Sequence, residues 1–329
     1  MCVVTGGSAG VGRAIAVHFA QQGWNVAVLA RGRPGVDSAC REIEAHGVSA
    51  LPLIADVADA EAVFTAADAV IEAFGTIDVW INNAMATVYG RIRDLSPAEF
   101  HRVTEVTYLG QVHGTLAALR HMQPRNSGTI VQVGSALAYR SIPLQSAYCA
   151  AKAAVRGFTD SLRSELIHEN SAVRLTMVQL PAVNTPQFDW ARNHLPHRLQ
   201  PVPPIYQPET IATAIFQAAR TAPRELWLGK STLQAILGTM AAPALLDRMM
   251  ATRAWAGQMT PEPAGGNREG NLFTPVTTDP GAHGRFDSRS RPHALGFPAG
   301  QVRGALLCLG VLAALTGLTA ARAIADSRH

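Results

Sequence analysis

From Met1 to about Pro186 the chain alternates short β-branched runs with longer Ala-rich stretches of helical period: CVVT, GRAIAVHFAQQG, NVAVLA, and later IDVWIN, TIVQVGS and VRLTMVQL. Runs of four to eight β-branched residues between helical patterns predict βαβ units. VAVLA and TIVQV are apolar at nearly every position, as strands are when helices cover both faces of a parallel sheet. The fold class this predicts is α/β, a Rossmann-type doubly wound parallel sheet in one domain, with a C-terminal helical and linker extension.

Further along, the pattern changes. Residues 186–208, PQFDWARNHLPHRLQPVPPIYQP, hold six prolines together with Phe188, Trp190 and Tyr206. Such a stretch reads as loop or broken helix, and its place after a core strand suits a mobile lid over a substrate; an ordinary surface connection is the plainer alternative. A helix resumes at PETIATAIFQAAR, with Pro208 and Glu209 at its start, and ELWLG reads as a short strand. The domain is expected to close near residue 258. Residues 259–302, rich in Gly, Pro, Asn, Arg and His without periodicity, read as a flexible linker. It leads to a hydrophobic helix over 303–322, whose uncharged core 304–321 is flanked by Arg303 and Arg322. Eighteen helical residues span about 27 Å, enough to just cross a bilayer or to pack as an Ala-rich helix on the domain or a second subunit.

Composition narrows the class. With 48% hydrophobic and 16% charged residues, disorder is excluded and a large core is expected. The net charge of +4 comes from scattered Lys and Arg, with no run of five, so nucleic acid is not an expected partner. Cys2, Cys40, Cys149 and Cys308 show neither CxxC nor finger spacing, and the eleven histidines include no HExxH. No metal is expected, and free thiols suit a reducing compartment. The chain enters its first glycine motif within five residues of Met1, so no cleaved export signal is expected and the cytoplasm is the predicted location, with attachment to the cytoplasmic face of a membrane if 304–321 inserts.

The chemistry-bearing residues lie at strand ends. TGGSAGVG stands between the first strand and first helix and supplies Thr5, Gly6, Ser8, Ala9, Gly10, Val11 and Gly12. Glycines there permit a tight turn and let the backbone approach a pyrophosphate, whose charge rests against the helix N-terminus. Ala30, Arg31, Gly32 and Arg33 follow the second strand, where NAD-specific folds commonly place a carboxylate. A guanidinium can instead pair with the 2′-phosphate, so NADP(H) is preferred over NAD(H) and Arg31 is the candidate contact; solvated loop charges are the alternative. Asp56 and Val57 end the third strand, where Asp56 can reach adenine or cap a helix. Tyr148 and Lys152 in SAYCAAK lie four residues apart on one helix face, and a neighbouring ammonium favours the phenolate. Ser135, ending TIVQVGS, can hydrogen-bond a substrate oxygen.

In this order and spacing, TGGSAGVG, NNAM, VGS and YCAAK resemble the short-chain dehydrogenase/reductase family over about 230 residues. The resemblance implies Tyr148 as general acid in reduction, Ser135 polarising the carbonyl, and Lys152 binding the nicotinamide ribose and lowering the tyrosine pKa. It also implies cofactor contacts from Asn83 and Ala84, from Pro181 and Val183, and from Thr185, which would meet the carboxamide, along with assembly as a homo-oligomer. Three departures stand out: Met85 where NNAG has glycine, Thr107 where an asparagine often holds a relay water, and Ala182 in place of a glycine after Pro181. Thr107 is expected to bind that water through its hydroxyl.

The expected activity is hydride transfer between nicotinamide and a carbonyl or secondary alcohol. Aromatic and apolar residues in 186–208 and near 88–96 hint at a lipophilic substrate. A non-catalytic dinucleotide sensor or scaffold is the alternative, to which Thr107 and Met85 lend weight. A nucleotide-sugar epimerase fits less well, because Gly6, Gly10 and Gly12 are spaced as GxxxGxG.

Overall fold

The computed structural model describes residues 1–265 and 269–309. Seven parallel strands form its sheet: β1 (Cys2–Thr5), β2 (Val26–Ala30), β3 (Ala50–Ile54), β4 (Val79–Asn82), β5 (Thr129–Ser135), β6 (Arg174–Leu180) and β7 (Glu225–Leu228). An eighth, β8 (Gly296–Pro298), joins antiparallel to β7, giving the order β8-β7-β6-β5-β4-β1-β2-β3. Helices α1 (Gly10–Gln21), α2 (Arg33–Glu44) and α7 (Pro208–Thr221) cover one face, while α3 (Ala60–Phe74), α5 (Gly110–Met122) and α6 (Ser146–His168) cover the other. The inner strands are largely apolar because both faces are buried, Val4 and Val28 pointing to the first layer and Val3 and Leu29 to the second, whereas the edge strand β3 is half-exposed.

Local chemistry sets the element ends. The Asp59 carboxylate accepts the Ala62 N–H and caps α3, which stops at Gly75 with φ 72°. Ser96 and Glu99 form a capping box at α4 (Pro97–Thr104), and a five-residue wide turn, Glu105–Leu109, joins α4 to α5. On the first face, the Phe19 and Phe216 rings meet edge to face at 5.0 Å and lock α1 to α7.

The connections after β1 run one way to β2 and β3, while β4 and its successors lie on the other side of β1. This reversal opens a crevice at the carboxyl ends of β1 and β4, where such sheets place their ligands.

Residues 186–208 are woven into place rather than left as an open loop. Arg192–Asn193 pairs with Val88–Tyr89, His197–Leu199 pairs antiparallel with Met259–Pro263, and Ile205–Tyr206 lies between Ala182–Val183 and Ser290–Arg291. Tyr89, Phe188, Leu195, Leu199, Ile205 and Phe286 bury one another in a small third core.

The described parts of the segment read as a flexible linker, 259–265 and 269–302, are likewise built into the domain. Aperiodic composition hid this because the segment is fastened by polar hooks and a three-residue strand, β8, instead of by an amphipathic face. Residues 299–309 are helical and mostly exposed. Among the described residues no helix is long and apolar enough to cross a membrane. Residues 310–321 of the apolar run, on which the expected bilayer crossing turned, lie outside the described residues.

Candidate active site

The glycine turn is shaped by what surrounds it. Gly6 has φ 66° and Gly10 φ 53°, a region that glycine enters without penalty. A Cβ on Gly12 would stand 2.2 Å from the Gly6 carbonyl oxygen and 2.4 Å from Asn83 Nδ2. The turn is latched to the end of β4: Thr5 Oγ1 accepts the backbone N–H groups of Asn83 and Ala84 at 3.0 and 3.1 Å, and Asn83 Nδ2 donates to Thr5 O at 3.0 Å.

A cavity of about 510 Å³ runs from this turn across the sheet's carboxyl edge. Gly6, Ser8, Ala9, Gly10, Val11 and Gly12 form its floor. Arg31, Asp56 and Val57, after β2 and β3, line it together with Asn83, Ala84 and Met85, after β4, and Pro181, Val183 and Thr185, after β6. Ser135, Tyr148 and Lys152 open onto the same space. Thr5 does not line the cavity and acts from behind as the latch.

Ser135 Oγ accepts the Leu137 N–H at 3.1 Å and is hydrogen-bonded to Tyr148. Burial pushes the Tyr148 phenol above its ordinary range, against the pull of the Ser135 bond. Lys152 is buried, donates to Val133 O at 2.6 Å and lies 5.8 Å from the centre of the Tyr148 ring. Desolvation pushes its amine down to about 7. Gln111 Nε2 donates to the same Val133 oxygen at 3.2 Å, a neighbour that no sequence motif announced.

Several expected residues take other places. Thr107 is fully buried off the cavity, where its hydroxyl donates to Ala86 O at 2.8 Å and accepts Ala86 N–H at 2.9 Å. With its single hydrogen committed, Thr107 holds the 84–86 segment against the wide turn instead of presenting a donor to a relay water. Asp56 is no helix cap; Asp59 fills that role. The Asp56 carboxylate is held by Arg102 and accepts Ala58 N–H at 3.0 Å, although the residue still lines the cavity. Arg33 is exposed at the start of α2. Arg31 reaches carbonyl oxygens of the C-terminal segment, donating to Asn271 O at 2.6 Å and Phe273 O at 3.2 Å.

Glu99 went unnoticed as a site element, though Ser96 three residues before it signals the capping box. Its buried carboxylate receives Arg192 Nε at 2.6 Å and lies 2.7 Å from His194 Nε2, while Ser96 N donates at 2.7 Å. These partners hold its carboxyl down at about 2 despite burial. The bonds pin Arg192 and His194, next to the cavity-lining Trp190 and Ala191, to α4.

A family model for short chain dehydrogenases matches residues 1–195. The chain belongs to the short-chain dehydrogenase/reductase family and is an oxidoreductase. Among its relatives, the uncharacterized oxidoreductase YxnA of Bacillus subtilis is 32% identical over 276 residues, covering 82% of this chain and 77% of that one. A putative oxidoreductase of Mycobacterium tuberculosis, SadH, is 35% identical over 185 residues, 56% of this chain and 67% of that one. In structure the chain is similar to an alcohol dehydrogenase from the archaeon Thermococcus sibiricus solved with 5-hydroxy-NADP, with a TM-score of 0.57 and 28% identity, over 69% of this chain and 94% of that one. It is also similar to a xylitol dehydrogenase solved with NAD+, with a TM-score of 0.53 and 28% identity, over 55% of this chain and 70% of that one.

Proposed function

We propose that the protein is an NADP(H)-dependent carbonyl reductase or alcohol dehydrogenase of lipophilic substrates, with Tyr148 as its general acid and base. The observation that carries this reading is that Ser135, Tyr148 and Lys152 open onto the same cavity as the Thr5–Gly12 turn.

The residues present suit a dinucleotide. Gly12 has no room for a side chain, the amino end of α1 faces the cavity, and the Thr185 hydroxyl is buried at its wall without a hydrogen-bond partner among the described residues, free for a carboxamide. When bound, the nicotinamide supplies or accepts the hydride. Ser135 and Tyr148 then hold the substrate oxygen by two hydrogen bonds, and the buried phenol, protonated across neutral pH, gives its proton to that oxygen in the reductive direction. Lys152, shared between Val133 O and the tyrosine ring, is placed for a ribose hydroxyl and for the charge left on the phenolate.

Arg31 supports the NADP preference. No carboxylate directly follows β2, and the Asp56 carboxylate, 3.9 Å from Arg31 Nη1, is shared with Arg102, so Arg31 keeps guanidinium charge at the end of β2 for a 2′-phosphate. Phe188, Val202, Ala235, Met250 and Ala254 also line the cavity, beside Gln145, Arg253 and Gln258, and the apolar set supports a lipophilic substrate.

Fluorescence titration with NADPH and NADH tests the cofactor. The expected result is tighter binding of NADPH and selective weakening of NADPH in Arg31→Glu, followed by turnover of apolar aldehydes or ketones that Tyr148→Phe abolishes. Binding of neither nucleotide overturns the reading.

A further inference from the structure

The cofactor cavity has a wall that the matched family core does not supply. That core ends at residue 195, yet Asn271, Pro275, Val276, Thr278 and Pro280 line the cavity beside the glycine turn and the end of β2. Two fastenings hold this crossing segment. At its start, Leu272 is fully buried, Asn271 O and Phe273 O accept from Arg31, and Leu272 O accepts from Arg102 Nε at 3.1 Å.

At its end, the Asp279 carboxylate pairs with the buried Arg13 guanidinium of α1 and accepts Ser38 Oγ at 2.7 Å, while Gly281 O accepts Gly10 N–H at 3.0 Å. Between these points the chain presses on two glycines. A Cβ on Gly32 would stand 2.9 Å from Val276 O, and one on Gly35 would stand 3.1 Å from Pro280 Cδ. Gly32 follows Arg31 at the end of β2, where this class of sheet receives the ribose 2′ position.

We infer that residues 271–281 form a strap that completes the adenosine half of the cofactor site, selecting between the two nicotinamide dinucleotides and setting how fast the bound one leaves. The inference rests on the dinucleotide reading of the cavity. Two features of the strap produce the effect. Its carbonyl oxygens orient the Arg31 guanidinium before any ligand arrives, so the charge that meets a 2′-phosphate is already in place. Its Pro275–Thr278 stretch stands over the opening at Gly32, so a nucleotide seated beneath it leaves only when the Asp279 latch to Arg13 and Ser38 lets go.

The test compares wild type with Asp279→Ala and Val276→Asp, reading equilibrium binding and stopped-flow release of NADPH and NADH. Asp279→Ala is expected to speed NADPH release at least tenfold and to narrow the NADPH-to-NADH affinity ratio. Val276→Asp, which sets a carboxylate beside the 2′ position, is expected to weaken NADPH at least tenfold more than NADH. A strap that merely braces the fold changes both nucleotides equally. Melting temperature checks that each variant folds, and Asp279→Asn, which keeps the shape and removes the charge, replaces Asp279→Ala if that variant melts early. Wild type that binds neither dinucleotide takes down the proposed function and the strap together. Wild type that binds, with variants matching its release rates and its ratio, overturns the strap alone.

Discussion

The Lys152 ammonium nitrogen lies 2.6 Å from the carbonyl oxygen of Val133 and 5.8 Å from the centre of the Tyr148 ring. Burial pushes an amine held this way down to about 7, whereas in an unfolded chain it titrates near 10.4. Between those values the unfolded state binds more protons than the folded one, so stability rises with pH across that window and is lowest below it. Lys152→Met removes the effect. Urea unfolding at pH 6.5, 8 and 9.5 is expected to show wild type gaining on the variant by up to about 1.4 kcal/mol per pH unit; equal slopes for the two proteins refute this.

Tyr148 holds the proposed proton. Tyr148→Phe is expected to cut kcat by about 10²- to 10⁴-fold while nucleotide affinity stays within a few-fold, because the phenol hydroxyl serves the substrate oxygen. Activity retained in the variant would move the acid to another group.

Glu99 makes the opposite case from Lys152. Its carboxyl is held at about 2 by Arg192, Ser96 and His194, below the ordinary value near 4.3. The stabilisation is complete above the ordinary value and disappears as pH falls through about 2. Glu99→Gln is expected to lose on the order of 2 kcal/mol at pH 7 and progressively less below pH 4. The same variant should raise KM more than it lowers kcat, since the bonds it breaks anchor residues 192–194, which directly follow the cavity-lining Trp190 and Ala191. A loss that does not change with pH would assign the effect to packing.

Two glycines in helices give a paired control. Gly12→Ala drives a methyl into the Gly6 carbonyl and Asn83 amide and is expected to cost about 1–3 kcal/mol together with nucleotide binding. Gly157, inside α6 with open space where a Cβ would stand, is expected to gain about 0.5–1 kcal/mol as alanine. Thermal melts and titration of both variants separate the shape of the turn from general helix propensity.

The sheet, the glycine turn and the Ser135, Tyr148 and Lys152 positions were legible because each is written locally. Apolar runs mark strands, glycines mark a turn that admits no side chain, and four-residue spacing puts Tyr148 and Lys152 on one helix face. What escaped reading depends on partners far away in sequence. Arg31 could be placed at the end of β2, but not the carbonyls of residues 271–273 that receive it, 240 or more residues later. Thr107 could be matched to an asparagine's position, but not to the Ala86 backbone that takes up its hydroxyl. The described residues between 271 and 291 show no periodicity because isolated side chains hold them against different elements: Asp279 against Ser38, Asp287 against Asn184 and His283 against Glu209.

The bond from Gly10 N–H to Gly281 O has a consequence for biosynthesis. The glycine turn leaves the ribosome before its partner, which follows some 270 residues behind, at 5–20 residues per second a delay of roughly 15–50 seconds. During that interval the nascent sheet can form β1 to β7 while the cleft above the glycine turn stays open on the side that residues 271–281 later line. The finished pocket, unlike the core beneath it, is a late post-assembly event in the life of each molecule.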